Sequence, residues 1–386
     1  MSVKVGVAIS TAEQSPDAGA DAGCAVAQAL GGAPADLALV FASGDHLGAL
    51  EAALEAVHDA VEPAALVGCA AGGVLGSGRE LEGATGLAVW AASLGDEGRA
   101  TPFHATVEEI DDAATISDLP SLDGASGAIL LADPYSFPTD VVLGLLAEHA
   151  PGVPVLGGIA SAHGPAGPLF LDGDTHEQGA VGVSLEGVEV LPCVSQGAAP
   201  LGRELTITAA EGNIIHELAG RPALKTIERI IAELSPRERA LVAGGLLIGI
   251  VIDSGKPEYE QGDFLVRGVL GADPDTGSIA VGATVRGGQI VRLHARDALS
   301  ADEDLRRALR LQAEAMAGGT PAGALLFSCN GRGRAMFGAP DHDAEAVERE
   351  LGGPPAAGFF AAGEIGPVGG RSFLHGFTAT LAVFPG

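Results

Sequence analysis

Aromatic side chains are scarce: 12 Phe, 2 Tyr and 1 Trp among 386 residues. A core of this size must therefore be built from Ala, Val, Leu and Ile on closely approaching backbone, and 58 glycines permit that approach. Positive charge is also scarce. Lys and Arg number 21 against 50 Asp and Glu, a net charge of −29. Such a surface repels polyanions, which excludes nucleic acid and anionic membrane as partners. The longest apolar run, Leu241–Ile252, is too short to cross a bilayer and reads as a buried strand. The opening stretch MSVKVGVAIS has no basic region followed by an apolar one, so no secretory signal is expected and the location is expected to be cytoplasmic. The four cysteines, Cys24, Cys69, Cys193 and Cys329, stand far apart and form no C-x-x-C pair. That excludes zinc-ligand spacing and leads us to expect four reduced thiols. Cofactor motifs are lacking as well. There is no G-x-x-x-x-G-K-[ST] loop, and GVLGSG (Gly73–Gly78) is followed by neither a clear helix nor a closing acid, so no cofactor is expected.

What is present is a repeating order. Hydrophobic residues make up 47% of the chain, enough for a sizeable core. ADLALVFAS (35–43) reads as a strand, HLGALEAALEAVHDAV (46–61) as a helix with Leu47, Leu50, Leu54 and Val57 on one face, and AALVGCAAGGVLGSG (64–78) as a strand ending in a small-residue loop. LEGATGLAVWAASL (81–94) then reads as a final strand. The same order returns from SGAILLADP to EQGAVGVSLEG (126–187) and from AGALLFSCNGRG to FLHGFTATLAVF (322–384). LEGAT (81–85) and LHGFT (374–378) share spacing inside the final strand. LLIGIVIDS and FLVRGVLGADPDTGSIAVGATV suggest a divergent fourth copy, although GKPEYEQGD (255–263) between them is too polar and short for a crossover helix. ADPDTG (272–277) reads as a hairpin turn, as does Glu211–Gly212–Asn213 within GRELTITAAEGNIIHELAG. A break at Gly220–Pro222 precedes the helix ALKTIERIIAEL. These readings predict an α/β chain of two domains, residues 1–222 and 223–386, with mixed sheets built from repeated strand–helix–strand–strand units. The loops GCAAGG, LFSCNGRG and GFFAAGEIG then fall at the carboxyl ends of strands, where α/β sheets place their sites.

One acid, Glu364, stands alone within GFFAAGEIGPVGG (358–370). As a turn cap it would face solvent. As a site residue it would accept hydrogen bonds from a ligand ammonium or from Arg332. SCNGRGR (328–334) offers Arg332 as a fork for a ligand carboxylate, with Gly331 and Gly333 allowing positive φ and a nest of N–H groups; the plain alternative is a tight turn with a surface Arg. Asn330, Gly363 and Gly366 flank the same loops. Cys329 is either a buried small side chain or a nucleophile with His375 as base. His375 alternates with Phe373 and Phe377 and is expected on their face, as a core histidine or lining a pocket. Asp341–His342–Asp343 resembles a metal cluster but precedes a helix, where an Asp serves as N-cap, so no metal is expected. Glu80, in the N-terminal half, is expected to lie outside the site.

LLFSCNGRG, GFFAAGEIGPVGG and FLHGFTA, together with GDFLVRGVLGADPDTGSIAVG upstream, closely resemble the C-terminal domain of the FIST family. VGCAAGGVLGSG and PVLGGIAS resemble its N-terminal domain, and EGNIIHELAGRPAL resembles the junction. The resemblance implies a sensory input module of signal transduction that binds a small ligand such as an amino acid. It supplies no catalytic residue. Family members are often fused to an output domain; the second FIST-like domain ends this chain, which implies a separate signalling output protein as partner. The N-terminal loop departs from the family, where Ser, Thr and an acid are frequent: Ala70, Ala71 and Gly73 stand there instead, which favours the C-terminal loops as the ligand site. The expected function is small-ligand sensing. The rival readings are an enzyme acting on a small amino or acyl compound through Cys329 or Glu364, and a protein-interaction scaffold.

Overall fold

The computed structural model describes residues 2–110, 113–162, 164, 167–259 and 262–386. His163 in the second repeat and Glu260 and Gln261 in the polar stretch 255–263 lie outside the described residues. The chain packs as two compact units that are discontinuous in sequence. The larger holds residues 1–194, 305–374 and 379–386, and the smaller holds 195–304 and 375–378. These packing units therefore do not follow a linear cut at residue 222.

The first repeat runs β1 (Lys4–Ser10), α1 (Ser15–Leu30), β2 (Leu37–Ser43), α2 (Leu50–Val61), β3 (Leu66–Ala70), a hairpin of β4 (Gly73–Gly76) and β5 (Arg79–Glu82), and β6 (Gly86–Ser93). The second runs β7 (Arg99–Ile110), β8 (Ala113–Ser117), β9 (Gly127–Ala132), α3 (Thr139–His149), β10 (Val155–Ile159), a hairpin of β11 (Leu169–Leu171) and β12 (Asp174–His176), and β13 (Ala180–Glu186). β14 (Leu191–Gln196) begins the third.

The smaller unit interrupts that third repeat. Its strands are β15 (Ala198–Glu211), β16 (Ile214–Leu218), β17 (Arg221–Pro222), β18 (Leu246–Val251), β19 (Phe264–Asp273), β20 (Ser278–Val281) and β21 (Ile290–Arg296), with α4 (Ala223–Glu233) and α5 (Pro236–Ala243) between β17 and β18. The described pairings are antiparallel in the order β15-β21-β18-β19-β20-β16. β16 also pairs β15, which closes the sheet on itself and removes its edges. Ile227 and Ile230 of α4 pack on Ile207, Ile215, Ile248 and Val291. The turns expected at Glu211–Asn213 and within ADPDTG are both present, with Glu211 opposite Ile214 and Asp273 opposite Ser278. Two expectations are corrected. The fourth copy is an antiparallel pair, Leu247 opposite Gly268, so it lacks the parallel crossover of a repeat. The run Leu241–Ile252 starts in α5, stapled by a Ser235–Glu238 capping box, and becomes strand only at Leu246.

The chain then returns through α6 (Ala298–Ala315), β22 (Gly323–Cys329), α7 (Arg334–Phe337), α8 (His342–Leu351), β23 (Ala356–Ala361), a hairpin of β24 (Glu364–Val368) and β25 (Arg371–His375), and β26 (Thr378–Phe384). In the larger unit the three repeats build three mixed sheets on one plan. Each has a parallel pair, β2/β3, β9/β10 or β22/β23, with the repeat's last strand antiparallel beside it. The strand on the other side comes from a different repeat. β11 joins β3, β24 joins β10, and β4 joins β23, so the hairpins are exchanged cyclically. Inner faces of all three sheets share one core, where Phe41 stacks on Phe359 at 5.0 Å and Phe327 meets Phe359 edge-on at 5.8 Å. Five of the fifteen aromatics, Phe41, Trp90, Phe327, Phe359 and Phe384, lie in this core where the sheets meet. The outer faces are covered by α1 and α2, by α3, and by α6 and α8. LEGAT and LHGFT prove equivalent as corners: each crosses from an exchanged hairpin into the last strand rather than lying inside it.

One ladder position carries glycine in all three repeats. Gly68, Gly157 and Gly358 lie opposite Val40, Leu130 and Leu326 on the parallel partner. A Cβ there would come within 1.9, 2.0 and 1.7 Å of those residues' carbonyl oxygens. Only glycine allows the strands to approach this closely. Gly358→Ala should therefore destabilise the fold by at least about 3 kcal/mol in a denaturant titration, because backbone must move. Gly48→Ala, with open space around it, should stay within about 0.5 kcal/mol of the parent. Equal stabilities of the two variants would contradict this packing.

Candidate functional site

The carboxyl ends of the parallel strands converge at one apex of the larger unit's central core. Ile159 N–H donates to Gly363 O (2.8 Å), and Ala362 N–H donates to Ile159 O (3.0 Å). Gly72 N–H donates to Ser161 Oγ (2.9 Å), and that hydroxyl donates in turn to Phe360 O. Asn330 N–H donates to Ala361 O (2.9 Å). Loops from all three repeats are thereby stitched together. Gly72, Asn330 and Ala362 are exposed at the rim, whereas Cys329, Gly363 and Glu364 are buried.

The repeats show how unusual Glu364 is. It pairs with Gly158 on β10, one step beyond Gly157. The equivalent exchanged-hairpin residues are Val74, opposite Phe359, and Leu169, opposite Cys69. Both are fully buried in the central core. Glu364 is 0% exposed, so one repeat places a carboxylate where the other two place an aliphatic side chain. Burying that carboxylate is costly, and packing alone would be met by Val or Leu. The solvent-facing turn cap considered from sequence is therefore corrected.

Arg332 lies three residues beyond the end of β22 and is 1% exposed. Its Nε and Nη2 donate to Asp343 at 2.6 and 2.8 Å. The fork expected to face a ligand carboxylate is thus occupied by Asp343, and Nη1 is buried with no hydrogen-bond partner. Asp343 also accepts from Ser328 Oγ (2.7 Å) and contacts His342 Nδ1 (2.8 Å), while His342 stacks on Phe337 at 3.4 Å. Burial opposes both charges, but each partner overcomes it: Arg332 holds Asp343 well below the usual carboxylate range, and Asp343 raises the Arg332 guanidinium.

The expected N–H nest is filled from within. Gly331 N–H points at Cys329 Sγ (3.4 Å), Arg332 N–H at Cys329 O (2.8 Å), and Arg334 N–H at Glu82 Oε1 (2.8 Å). Gly333 has φ 82, and a Cβ there would strike the Glu82 carboxylate at 2.4 Å. Gly366 is glycine because Val194 and Thr380 approach its α-carbon closely. His375 is buried and belongs to the smaller unit. Its shared face with Phe377 is corrected, because β25 ends at His375 and Phe377 has φ 66.

Glu80 was expected outside the site, but hairpin exchange brings it against Asp343 and the start of α8. Carried on β5, its Oε1 accepts from Asp343 N–H (2.8 Å) and Ala344 N–H (3.0 Å), capping α8 from another repeat. Asp341, the expected N-cap, makes no cap bond and accepts instead from Glu80 N–H (2.6 Å). Ser161, Glu80 and Glu82 were missed because nothing in their local sequence signals which repeat they will meet.

The apex of this α/β unit thus buries three carboxyl groups, those of Glu364, Asp343 and Glu80. Over the chain as a whole, the FIST N domain matches residues 36–221 and the FIST C domain matches residues 223–367, and the chain belongs to the FIST family. FIST domains are generally sensory domains of signal transduction. An uncharacterized protein of Mycobacterium tuberculosis is 44% identical over 385 residues, covering 99% of this chain and 100% of its own length. One from Mycobacterium bovis is 42% identical over 386 residues, covering 99% of each. Among the described residues no helix is long and apolar enough to cross a membrane.

Burial, and then the neighbouring Asp343 charge, push Glu80 from 4.5 up to about 7. Between those values the folded protein keeps a proton that the unfolded chain has released, so stability falls as pH rises through the window. Asp343 is ionised in both states there and adds no slope. Glu80→Gln keeps the acceptor for both N–H groups and removes the charge. It should melt higher than the parent near pH 8, by up to about 3 kcal/mol, and equally near pH 4. A variant less stable than the parent at pH 8 would contradict the assignment.

Proposed function

We propose that the apex senses a small amine-bearing metabolite of the amino-acid class, with Glu364 receiving its ammonium group. The observation that carries this reading is the carboxylate at a core position where the other two repeats hold Val74 and Leu169. Charge supports it. One guanidinium, Arg332, lies among the carboxyl groups of Asp343, Glu80 and Glu364, and Asp343 already takes two of its three nitrogens. The cluster therefore has room for a further cation more readily than for a further anion. Only Gly and Ala separate Glu364 from the exposed rim at Ala362 and Gly72. The ligand's carboxylate is left to Arg332 Nη1 and the exposed Asn330 amide, a weaker clamp than a bidentate fork.

On this reading the protein is a cytoplasmic sensory protein that passes its state to a separate output protein. Thermal-shift screening of amino acids and simple amines should produce a stabilising ligand. Calorimetry with that ligand should show Glu364→Gln weakening binding at least about tenfold, as expected for loss of a buried charge pair, with Glu51→Gln, on exposed α2 surface, unchanged. Parent affinity in Glu364→Gln would overturn the assignment.

A further inference from the structure

The three repeats cover their sheets unequally. In the first, α1 follows β1 and lies against α2. Ala18, Ala22 and Val26 share one core with Ala53, Leu54 and Val57, and a Cβ on Gly19 would come within 2.3 Å of Ala53 O. In the third, α6 precedes β22 and lies against α8, with Leu305 and Leu309 packed beside Ala346 and Val347. Arg306 and Arg310 of α6 both pair with Glu350 of α8, at 3.3 and 3.5 Å. In the second, β7 pairs antiparallel with β13 as β1 does with β6, so β7 is the counterpart of β1. The chain then reaches β9 through β8 and residues 118–126, with no helix among the described residues.

One flank of α3 is thereby left uncovered. A cleft of about 660 Å³ lies between it and the segment that stands in place of the helix. Val107, Ile116 and Leu119 line one wall, and Val141, Leu145 and His149 line the other. Val141 and Leu145, four residues apart on one helix face, are 60% and 38% exposed. The fixed charge here is acidic. Asp123 lines the cleft, and Asp118, Asp140 and Glu148 are exposed next to its lining residues in sequence. Between Arg99 and Arg203 the sequence holds no Lys or Arg.

We propose that this cleft docks a basic amphipathic helix of a partner protein, which takes the place that α1 and α6 hold in the other two repeats. Those helices have 16 and 18 residues, which sets the length of the occupant. Its apolar side chains, at i, i+3, i+4 and i+7, enter the cleft between α3 and β7–β8. Its Lys and Arg turn toward Asp123 and the neighbouring acids, as Arg306 and Arg310 of α6 turn toward Glu350. A second copy of this chain fits the face poorly, because two such surfaces would set acid against acid. The inference does not depend on an amine ligand, and its test uses none.

The probe is a fluorescein-labelled helical peptide of the length of α6, with Leu at the i, i+3, i+4 and i+7 positions and Lys elsewhere. Its binding to the full-length protein is followed by anisotropy at physiological salt. Leu145→Glu should weaken binding at least about tenfold, because it sets a carboxylate among the apolar contacts. Leu311→Glu makes the same charge change at an exposed position on α6 and should keep the parent affinity. Both side chains are exposed, so both variants should fold. A peptide held only by the general acidic surface would bind Leu145→Glu at least as tightly as the parent, which separates docking from simple charge attraction. The same peptide with Glu in place of Lys should bind the parent at least about tenfold more weakly. Sedimentation velocity of the parent and Leu145→Glu tests for self-association through this face. No binding of the Lys peptide by the parent, equal affinity in Leu145→Glu, or a parent dimer that Leu145→Glu dissociates, which gives the cleft to a second copy, would overturn the proposal.

Discussion

Each sheet of the larger unit is completed by a strand it does not own. β11 from the second repeat closes the first sheet, β24 from the third closes the second, and β4 from the first closes the third. Backbone donors and acceptors along β3, β10 and β23 are satisfied only by this exchange, because an unpaired strand edge leaves its polar groups to solvent. The glycines at 68, 157 and 358 belong to the same constraint, since they let each second strand lie against its parallel partner at the level where the foreign strand joins. The first sheet therefore cannot be finished before the second repeat has formed. The third sheet joins residues 74–76 to 357–359 across most of the chain. Such long-range pairing predisposes the unit to slow, concerted folding.

The exchange also explains the composition of the apex. A β5 side chain, Glu80, caps α8 and sits against Asp343, and Glu82 from the same hairpin fills the turn at Gly333. Both acids come from the N-terminal half and serve a loop of the C-terminal half. Arg332 is thereby locked between Asp343 and the core, and its orientation is fixed by packing instead of being left to a ligand. On the proposed reading, a ligand at Glu364 would act on a preorganised charge cluster shared by two repeats.

Much of the fold was legible in the chain. Strand–helix–strand order came from local periodicity, and the turns at Gly212 and Asp273 came from their own Gly, Asn, Asp and Pro residues, all of which act over a few positions. Helix α4 announced itself by Ile227 and Ile230 on one face, after the break at Gly220–Pro222. What was not legible is long-range. No local pattern distinguishes a hairpin that folds back on its own repeat from one that joins another, so Glu80 was placed outside the site. The antiparallel β18–β19 pair resembled a repeat because buried strands of either sense read as apolar runs. At the apex, Cys329, Arg332 and Glu364 were identifiable by chemistry, but the Arg332–Asp343 pairing depends on where α8 begins relative to β22, which spacing alone does not define.

The central claim is that Glu364 occupies a core position for the sake of a ligand ammonium. The most direct measurement is a crystal structure of the protein grown with the most stabilising amino compound from a thermal-shift screen. The account predicts ligand density at the apex, its amine nitrogen within hydrogen-bonding distance of the Glu364 carboxylate and its other end toward Asn330. Density for the ligand elsewhere, such as the apolar cleft of about 660 Å³ beside Val141 and Leu145, with the apex unchanged, would contradict it.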